Sequence, residues 1–310
     1  MNSYRNEIYY CVKPLIPRRV QIYIRRLFVQ YQLVKYRKIW PIDEKGGKEP
    51  DGWRGWPDGK KFSLVLTHDV DTHGGQSKCL ELMKLDSDFG FRSSFNFVPL
   101  RYSVSLDVHD TLRNQGFEVG VHGLYHDGLY YLSRDIFSKR AARINNYLKE
   151  WQAVGYRAPS MYHRLEWFHD LEIEYDASTF DTDPFEPHSV GVSSIFPFFV
   201  KDPNSHGGFV ELPYTLPQDF SLFILMRKKN INIWKQKLDW VVDRAGMVLI
   251  NTHPDYMDFN GNKSKEGYPA QFYREFLEYV KERYAGQYWH ALPRDVARFW
   301  KSEYCKPEQF

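Results

Sequence analysis

Cysteine and long apolar runs are scarce in this sequence of 310 residues. Its three cysteines, Cys11, Cys79 and Cys305, are far apart and predict neither a disulfide framework nor a C-x-x-C metal motif. No apolar run approaches the roughly 20 residues that cross a bilayer. The first residues also lack the pattern of a secretory signal peptide. We therefore expect a cytoplasmic protein without a membrane span.

A large net charge is also missing. The formal net charge is +3, which argues against a general binder of polyanions, and no nucleic-acid recognition motif is present. The charge is unevenly distributed, because residues 1–40 carry nine Lys or Arg and one acidic residue, Glu7. This balance of +8 leaves −5 for the remainder. We expect no nucleic-acid partner, and we assign the basic character to the N-terminal segment.

A basic amphipathic helix is predicted over residues 17–39, where Pro17 suits a first helical turn. One face carries apolar residues at spacings of three and four, namely Val20, Ile24, Leu27, Tyr31 and Val34. Two interpretations remain open. In the more ordinary one, the helix packs on the domain and leaves a basic side in solvent. In the other, it lies on an anionic membrane surface as a peripheral contact.

Residues 41–60 are rich in Gly, Pro and charge, which predicts a linker and divides the chain into segments 1–60 and 61–310. Strand-like runs then alternate with helix-like segments. The strand-like runs span 62–67, 93–98, 117–121, 173–178, 209–212, 247–252 and 287–292, and the clearest helices span 133–151, 233–245 and 269–284. This order predicts an α/β fold with a parallel sheet or barrel of about seven strands. Functional side chains are expected where the strands end.

Carboxylates and imidazoles follow two of these runs. Asp69 and Asp71 end the run 62–71, and they share side-chain parity on an extended strand. His122 and His126 end the run that begins at residue 117. Two neutral imidazoles and one carboxylate leave an open position on zinc, and the second carboxylate could then act as a general base. The alternatives are a pair of aspartates that cap a loop and two unrelated loop histidines.

Two further residues suit the same site. His253 follows the apolar run 247–252, where an imidazolium could protonate a leaving group. Arg157 lies in the segment Gly-Tyr-Arg-Ala-Pro, and its guanidinium could hold a catalytic carboxylate in a bidentate pair. His68 precedes Asp69 with the opposite parity, so it is either an additional site residue or a packed core histidine.

These segments resemble the ordered motifs of the polysaccharide deacetylases, the NodB-homology group of carbohydrate esterase family 4. Thr67-His-Asp-Val-Asp71 is similar to the family's Thr-Phe-Asp-Asp motif, and His122-x-x-x-His126 and Arg157-Ala-Pro159 follow in order. A later segment, Glu174–Asp181, resembles the fourth motif, although it lacks the family's Asp-x-Trp pattern. The last motif corresponds to Val248–His253. The resemblance covers residues 61–300, and Val70 separates two aspartates that are usually adjacent.

The resemblance implies a distorted (β/α) barrel and a divalent metal, usually zinc. It implies metal binding by Asp71, His122 and His126. It further implies that Asp69 activates water, that Arg157 orients Asp69, and that His253 protonates the leaving amine with support from Asp176 or Asp181. The expected function is removal of an N-acetyl group from an amino sugar during synthesis of a surface polysaccharide. Alternatives are an amidase acting on a ureide-type C–N bond and a non-catalytic glycan-binding homologue.

Overall fold

The computed structural model describes residues 17–127, 129, 133–186, 190–204, 207–261 and 266–304, with only the backbone at Arg18. Cys11 and Cys305 therefore lie outside the described residues. Within these ranges, the helices are too short or too polar to span a bilayer.

The main elements alternate along the chain as strands and helices. The strands are β1 (Phe62–Val70), β2 (Ser94–Phe97), β3 (Glu118–His122), β4 (Gly155–Arg157), β5 (Tyr175–Asp176), β6 (Phe198–Lys201), β7 (Gly208–Glu211), β8 (Met247–Thr252), β9 (Met257–Asp258), β10 (Tyr268–Pro269) and β11 (Tyr288–His290). The longer helices are α1 (Arg18–Lys35), α2 (Cys79–Asp88), α3 (Leu106–Asn114), α4 (Arg134–Glu150), α5 (Asn232–Asp243), α6 (Gln271–Arg283) and α7 (Pro293–Tyr304). A π-helical segment spans Phe220–Leu225.

A nine-stranded sheet organises the domain around β1, which is buried along its whole length. β1 pairs with β8, with β11 at its start and with β2 at its end, and the sheet continues through β3, β4, β5, β7 and β6. Every pairing is parallel except that of β6 with β7. Beyond β7, the Thr215 amide donates to the Leu249 carbonyl of β8 at 3.0 Å, which curls the sheet towards closure. The predicted distorted (β/α) barrel is confirmed.

All seven predicted strands are present as β1, β2, β3, β5, β7, β8 and β11. The predicted helix over 133–151 is α4, and its predicted face is buried through Phe137, Ala141, Ile144 and Leu148. β4 was not predicted as a strand, because three residues are too few to show an alternating pattern. α2, α3 and α7 were also not predicted, although Ser105 caps α3 by accepting from the Val108 amide.

α1 packs on the domain through a face that the sequence did not indicate. Ile22 and Val29 are buried, and the Gln32 side-chain amide donates to the Pro184 carbonyl. The apolar stripe Val20, Ile24, Leu27, Tyr31 and Val34 instead faces away, with side chains 45 to 71% exposed. α1 therefore packs on the domain, as the first interpretation holds, but the stripe is not the packing face, because a few apolar and polar contacts on the opposite side dock the helix.

The segment predicted as a linker packs against the domain. Trp40 and Trp56 are buried, and the Trp56 indole N–H donates to the Ala245 carbonyl at 2.8 Å. The Trp53 ring packs against the rings of Trp300 and Phe196. Residues 40–56 thus add to the core of the barrel, and the division of the chain at residue 60 stays a proposal.

Candidate metal and catalytic site

Asp71, His122 and His126 converge at the carboxyl edge of the sheet. The Asp71 Oδ1 atom lies 3.4 Å from His122 Nε2 and 3.1 Å from His126 Nε2. All three candidate ligand atoms lie within 4.8 Å of one another. Ligand atoms at about 2.0–2.2 Å from zinc stand roughly 3.3–3.6 Å apart in a tetrahedron. The spacing of these atoms therefore suits a shared metal ion.

The local backbone explains why these side chains meet. His122 ends β3 and Asp71 directly follows β1, so the parallel strands bring both to the same edge. After β3 the chain turns sharply, with positive φ angles at Gly123 (63°) and His126 (56°). The Asp71 amide donates to Asp255 Oδ2 at 2.9 Å, which fixes the backbone just beyond β1.

Hydrogen bonding and charge both fit a cation. Asp71 Oδ1 is buried and accepts no well-directed hydrogen bond from the described residues, although two imidazoles lie beside it. His122 Nδ1 lies 3.0 Å from the Arg157 carbonyl; since a carbonyl only accepts, Nδ1 is the donor, and Nε2 is the ring nitrogen that faces Asp71 and could bind a metal. Burial would raise the pKa of Asp71, but His126 and His122 hold it well below its usual value. Burial lowers the pKa of His126, which favours the neutral ligand form.

Asp69 lies beside this cluster and is fixed by both neighbouring strands. Asn96 of β2 donates to Oδ1 at 2.9 Å, and Asn251 of β8 donates to Oδ2 at 2.8 Å. Gly120 of β3 makes room for the Asn96 amide, because a Cβ there would approach the Asn96 Oδ1 atom to 2.2 Å. Val70 is buried on the other side of the strand, so Asp69 and Asp71 point the same way, as their parity predicts.

Arg157 supplies the positive charge nearest to Asp69. Its Nη1 atom lies 3.6 Å from Asp69 Oδ2, and none of its guanidinium nitrogens has a hydrogen-bond partner among the described residues. Burial would raise the pKa of Asp69, but Arg157, followed by His122 and His253, lowers it below its usual value. Asp69 therefore stays ionised at neutral pH and can accept a proton.

His253 directly follows β8 and is held by a carboxylate that the sequence did not indicate. Its Nδ1 atom lies 2.7 Å from Asp219 Oδ1, and its amide donates to Asp219 Oδ2 at 2.8 Å. The Tyr268 hydroxyl donates to the same Oδ2 atom at 2.9 Å. Burial lowers the pKa of His253, but Asp219 more than offsets this, and the pKa rises to about 10. The raised pKa favours the protonated imidazolium, which is the form that can donate a proton.

Asp176 and Asp181, the two carboxylates expected to support His253, lie elsewhere. Asp176 accepts from the Ser178 hydroxyl at 2.6 Å, and the Ser178 oxygen accepts from the Ala158 amide at 2.7 Å, so Asp176 holds the turn after Arg157. Asp181 forms a buried ion pair with Lys237. The structure corrects the expectation, because the segment 174–181 contains β5, which lies beyond β4 in the sheet, whereas Asp219 reaches His253 from the segment that runs beside β8.

His68 is a core residue. Its Nδ1 atom lies 2.7 Å from the Thr252 hydroxyl and its Nε2 atom lies 3.1 Å from Asp86 Oδ2 of α2. The ring is fully buried and packs against Phe95. Of the two alternatives for His68, the packed histidine is confirmed.

The residues missed by the sequence analysis carried weak signals. Asn96 and Asn251 lie within apolar strands that pair with β1. The only hint of their role is a polar amide at a position whose side chain points to the same side of the sheet as Asp69. Asp219 follows Pro217 in a loop and precedes the π-helical segment, and no periodic pattern marks it. Asp255 follows His253 by two residues and could have been recognised as part of the same loop.

The sequence matches no protein-family model and no curated protein. Solved structures are nevertheless similar in fold. One named as a polysaccharide deacetylase from Mycobacterium smegmatis has 20% identity and a TM-score of 0.60, with 82% of this chain and 95% of that chain covered. PuuE allantoinase has 16% identity and a TM-score of 0.63, with 86% and 99% covered. A structure named as a polysaccharide deacetylase from Pseudomonas aeruginosa PAO1 has 16% identity and a TM-score of 0.61, with 80% and 94% covered.

At these identities the similarity establishes the fold. The chain has the NodB-type fold of the polysaccharide deacetylases, as the order of its motifs predicts. The roles of the individual side chains rest on the geometry described above.

Proposed function

We propose that this protein is a metal-dependent hydrolase that removes an N-acetyl group from an amino sugar. The observation that carries the proposal is the arrangement at one sheet edge. Asp71, His122 and His126 offer three ligand atoms, while a lowered pKa favours the ionised form of the neighbouring Asp69 and a raised pKa favours the protonated form of His253. A base, an acid and a cation site together are what hydrolysis of an unactivated amide requires.

The three ligand residues would hold the cation. Two imidazoles and one carboxylate suit zinc, which we propose as the metal. When bound, the ion would polarise the acetyl carbonyl and lower the pKa of water.

The other side chains have separate tasks. Asp69 accepts a proton from the attacking water as the water oxygen bonds to the acetyl carbon. Arg157 keeps Asp69 ionised and oriented. His253 donates its proton to the sugar nitrogen as the C–N bond breaks, so acetate and a free amine leave. Asp219 keeps His253 protonated and directs its Nε2 atom into the site.

Metal content and acetate release test the proposal. Purified protein should contain about one zinc per chain and should release acetate from N-acetylated glycans or nucleotide sugars. Asp71→Ala and His122→Ala should lose both the metal and the activity. His169→Ala serves as the matched control, because its ring packs against Phe209, outside the cluster. Retained zinc and unchanged activity in Asp71→Ala would overturn the proposal.

A ureide-type amide is the second candidate substrate. The similarity to PuuE allantoinase covers nearly all of that chain, and Val70 separates the two aspartates here. The same acid, base and metal ligands could cleave such a bond. Product analysis separates the two, since acetate indicates a deacetylase, and ammonia or a carboxylated product indicates the other amidase.

We also propose a cytoplasmic location and a role in the synthesis of a surface polysaccharide. The scarcity of cysteine supports the location. Fractionation of cells that produce the protein would test it, and recovery outside the cytoplasm and its membrane would contradict it.

A further inference from the structure

Most of the exposed large apolar side chains of the described surface lie on α1 and just after it. Eight of the eleven exposed large hydrophobic side chains lie in residues 20–39, and the other three, Leu80, Leu106 and Val190, are scattered. Seven of the eight lie on α1, and these are Val20, Tyr23, Ile24, Leu27, Phe28, Tyr31 and Val34. A contiguous apolar face on a stable domain marks an interaction surface.

The opposite face of α1 is already occupied by its own domain. Ile22 and Val29 are buried there, and the Arg26 Nε atom donates to the Ile224 carbonyl at 2.9 Å. The Arg25 guanidinium lies 4.9 Å from the centre of the Phe220 ring. The helix is therefore held in place with its apolar face directed outwards, and rotation to bury that face would break these contacts.

The charge of residues 17–40 indicates which kind of partner the apolar face would bind. Residues 17–40 contain seven Lys or Arg and no acidic residue. Among these, Arg19, Lys35, Arg37 and Lys38 are exposed. An apolar face with aromatic rings, bordered by basic side chains, suits the headgroup region of an anionic bilayer. A second copy is a poor partner, since two such helices would bring like charges together.

We propose that α1 docks the protein on an anionic lipid surface, with its apolar face in the headgroup region. The inference goes beyond the proposed hydrolysis and does not depend on it. The π-helical segment that contacts α1 begins directly after Asp219, the partner of His253. Docking would therefore place the lipid surface close to the elements that hold the candidate acid.

Sedimentation with lipid vesicles tests the proposal. The full chain should bind vesicles of 70% phosphatidylcholine and 30% phosphatidylglycerol at low ionic strength. Pure phosphatidylcholine and high salt should weaken binding at least tenfold. The variant Leu27→Glu/Phe28→Glu/Tyr31→Glu should bind at least tenfold more weakly than the wild type. The matched control Leu80→Glu/Leu106→Glu/Val190→Glu adds the same three charges on exposed residues elsewhere and should bind as the wild type does.

A measurement on the wild type avoids reliance on the folding of a variant. Hydrogen exchange of the amides in 18–35 should slow on addition of the anionic vesicles and stay unchanged with neutral ones. Absence of vesicle binding by the wild type, or unchanged binding of the triple variant, would overturn the proposal. Concentration-dependent dimerisation that the triple variant abolishes, without vesicle binding, would instead identify a second copy as the occupant. Acetate release does not enter any of these outcomes.

Discussion

The carboxyl edge of the sheet and helix α1 depart from ordinary burial in opposite ways. The sheet edge buries charged side chains, including Asp69, Arg157 and His253. α1 exposes apolar side chains, including Leu27 and Tyr31. Burying a charge costs folding free energy, and an exposed apolar patch forgoes the gain that burial would bring, so each is informative about function. The first departure marks the candidate catalytic site, and the second marks a candidate docking surface.

The two regions also differ in how their side chains are held. At the sheet edge, Asp69 accepts hydrogen bonds from Asn96 and Asn251 of the two neighbouring strands, and Arg157 lies 3.6 Å from it as a buried counter-charge. Among the described residues, no comparable set of hydrogen bonds holds the exposed face of α1. Substitutions at the sheet edge should therefore change chemistry strongly, whereas those on the exposed face should change binding and leave the fold intact.

The largest expected effect is that of Asp69→Asn. The amide keeps the shape of the carboxylate but cannot accept a proton, so kcat should fall by about 10³–10⁴-fold. The metal content should stay unchanged, because Asp71, His122 and His126 remain. Parallel assays of kcat and bound zinc would check this. Loss of the metal together with the activity would show that Asp69 is a ligand and would contradict its assignment as the base.

Asp219→Asn and Asp181→Asn should have different consequences, although both remove a buried carboxylate. Asp219→Asn should lower kcat by about 10²–10³-fold, since His253 loses the group that keeps it protonated. Because Asp219 raises the pKa of His253, its removal should also move the alkaline limb of the pH–rate profile to lower pH. Asp181→Asn should instead destabilise the fold by about 3–5 kcal/mol, because Lys237 is left buried and unpaired.

Rate profiles and urea denaturation of both variants would distinguish these outcomes. An unchanged pH profile in Asp219→Asn would show that Asp219 has only a structural role. A shifted profile in Asp181→Asn would return that residue to the support of His253.

Topology explains how much of this site the sequence could predict. Asp71, His122 and His253 follow apolar runs, and parallel strands must bring their ends to one edge. Asp219 could not be found this way, because it approaches through a loop after Pro217 and its position depends on how the sheet curls. Likewise, the spacing of residues on α1 predicts a helix and its apolar face, but not which face the domain covers. That choice depends on tertiary contacts such as Gln32 with Pro184.

Substitution of Glu118 should have a smaller effect, and one on stability that depends on pH. Glu118 begins β3, at the end of the strand opposite to His122. Burial raises its pKa to about 7 from 4.5, although the Tyr175 hydroxyl and the Arg294 amide lower it in part. The folded protein therefore binds a proton more tightly than the unfolded chain. The stability that this provides is complete below pH 4.5 and is lost as the pH rises through 7.

Glu118→Gln should therefore increase the free energy of unfolding at pH 8 by on the order of 1–3 kcal/mol, and change it little at pH 4. Urea denaturation at both pH values would check this. An equal effect at the two pH values would show that Glu118 does not titrate on folding.

The smallest expected effect concerns α1. Substitutions on its buried and exposed faces should differ in how much they lower the free energy of unfolding. Ile22→Ala removes a buried side chain and should lower the free energy of unfolding by about 2 kcal/mol. Leu27→Ala changes a side chain that is 57% exposed, so its effect should stay within about 0.5 kcal/mol. Urea denaturation of the two variants without lipid measures the difference. A cost for Leu27→Ala equal to that of Ile22→Ala would mean that the protein itself covers the apolar face, and the contrast between α1 and the sheet edge would then disappear.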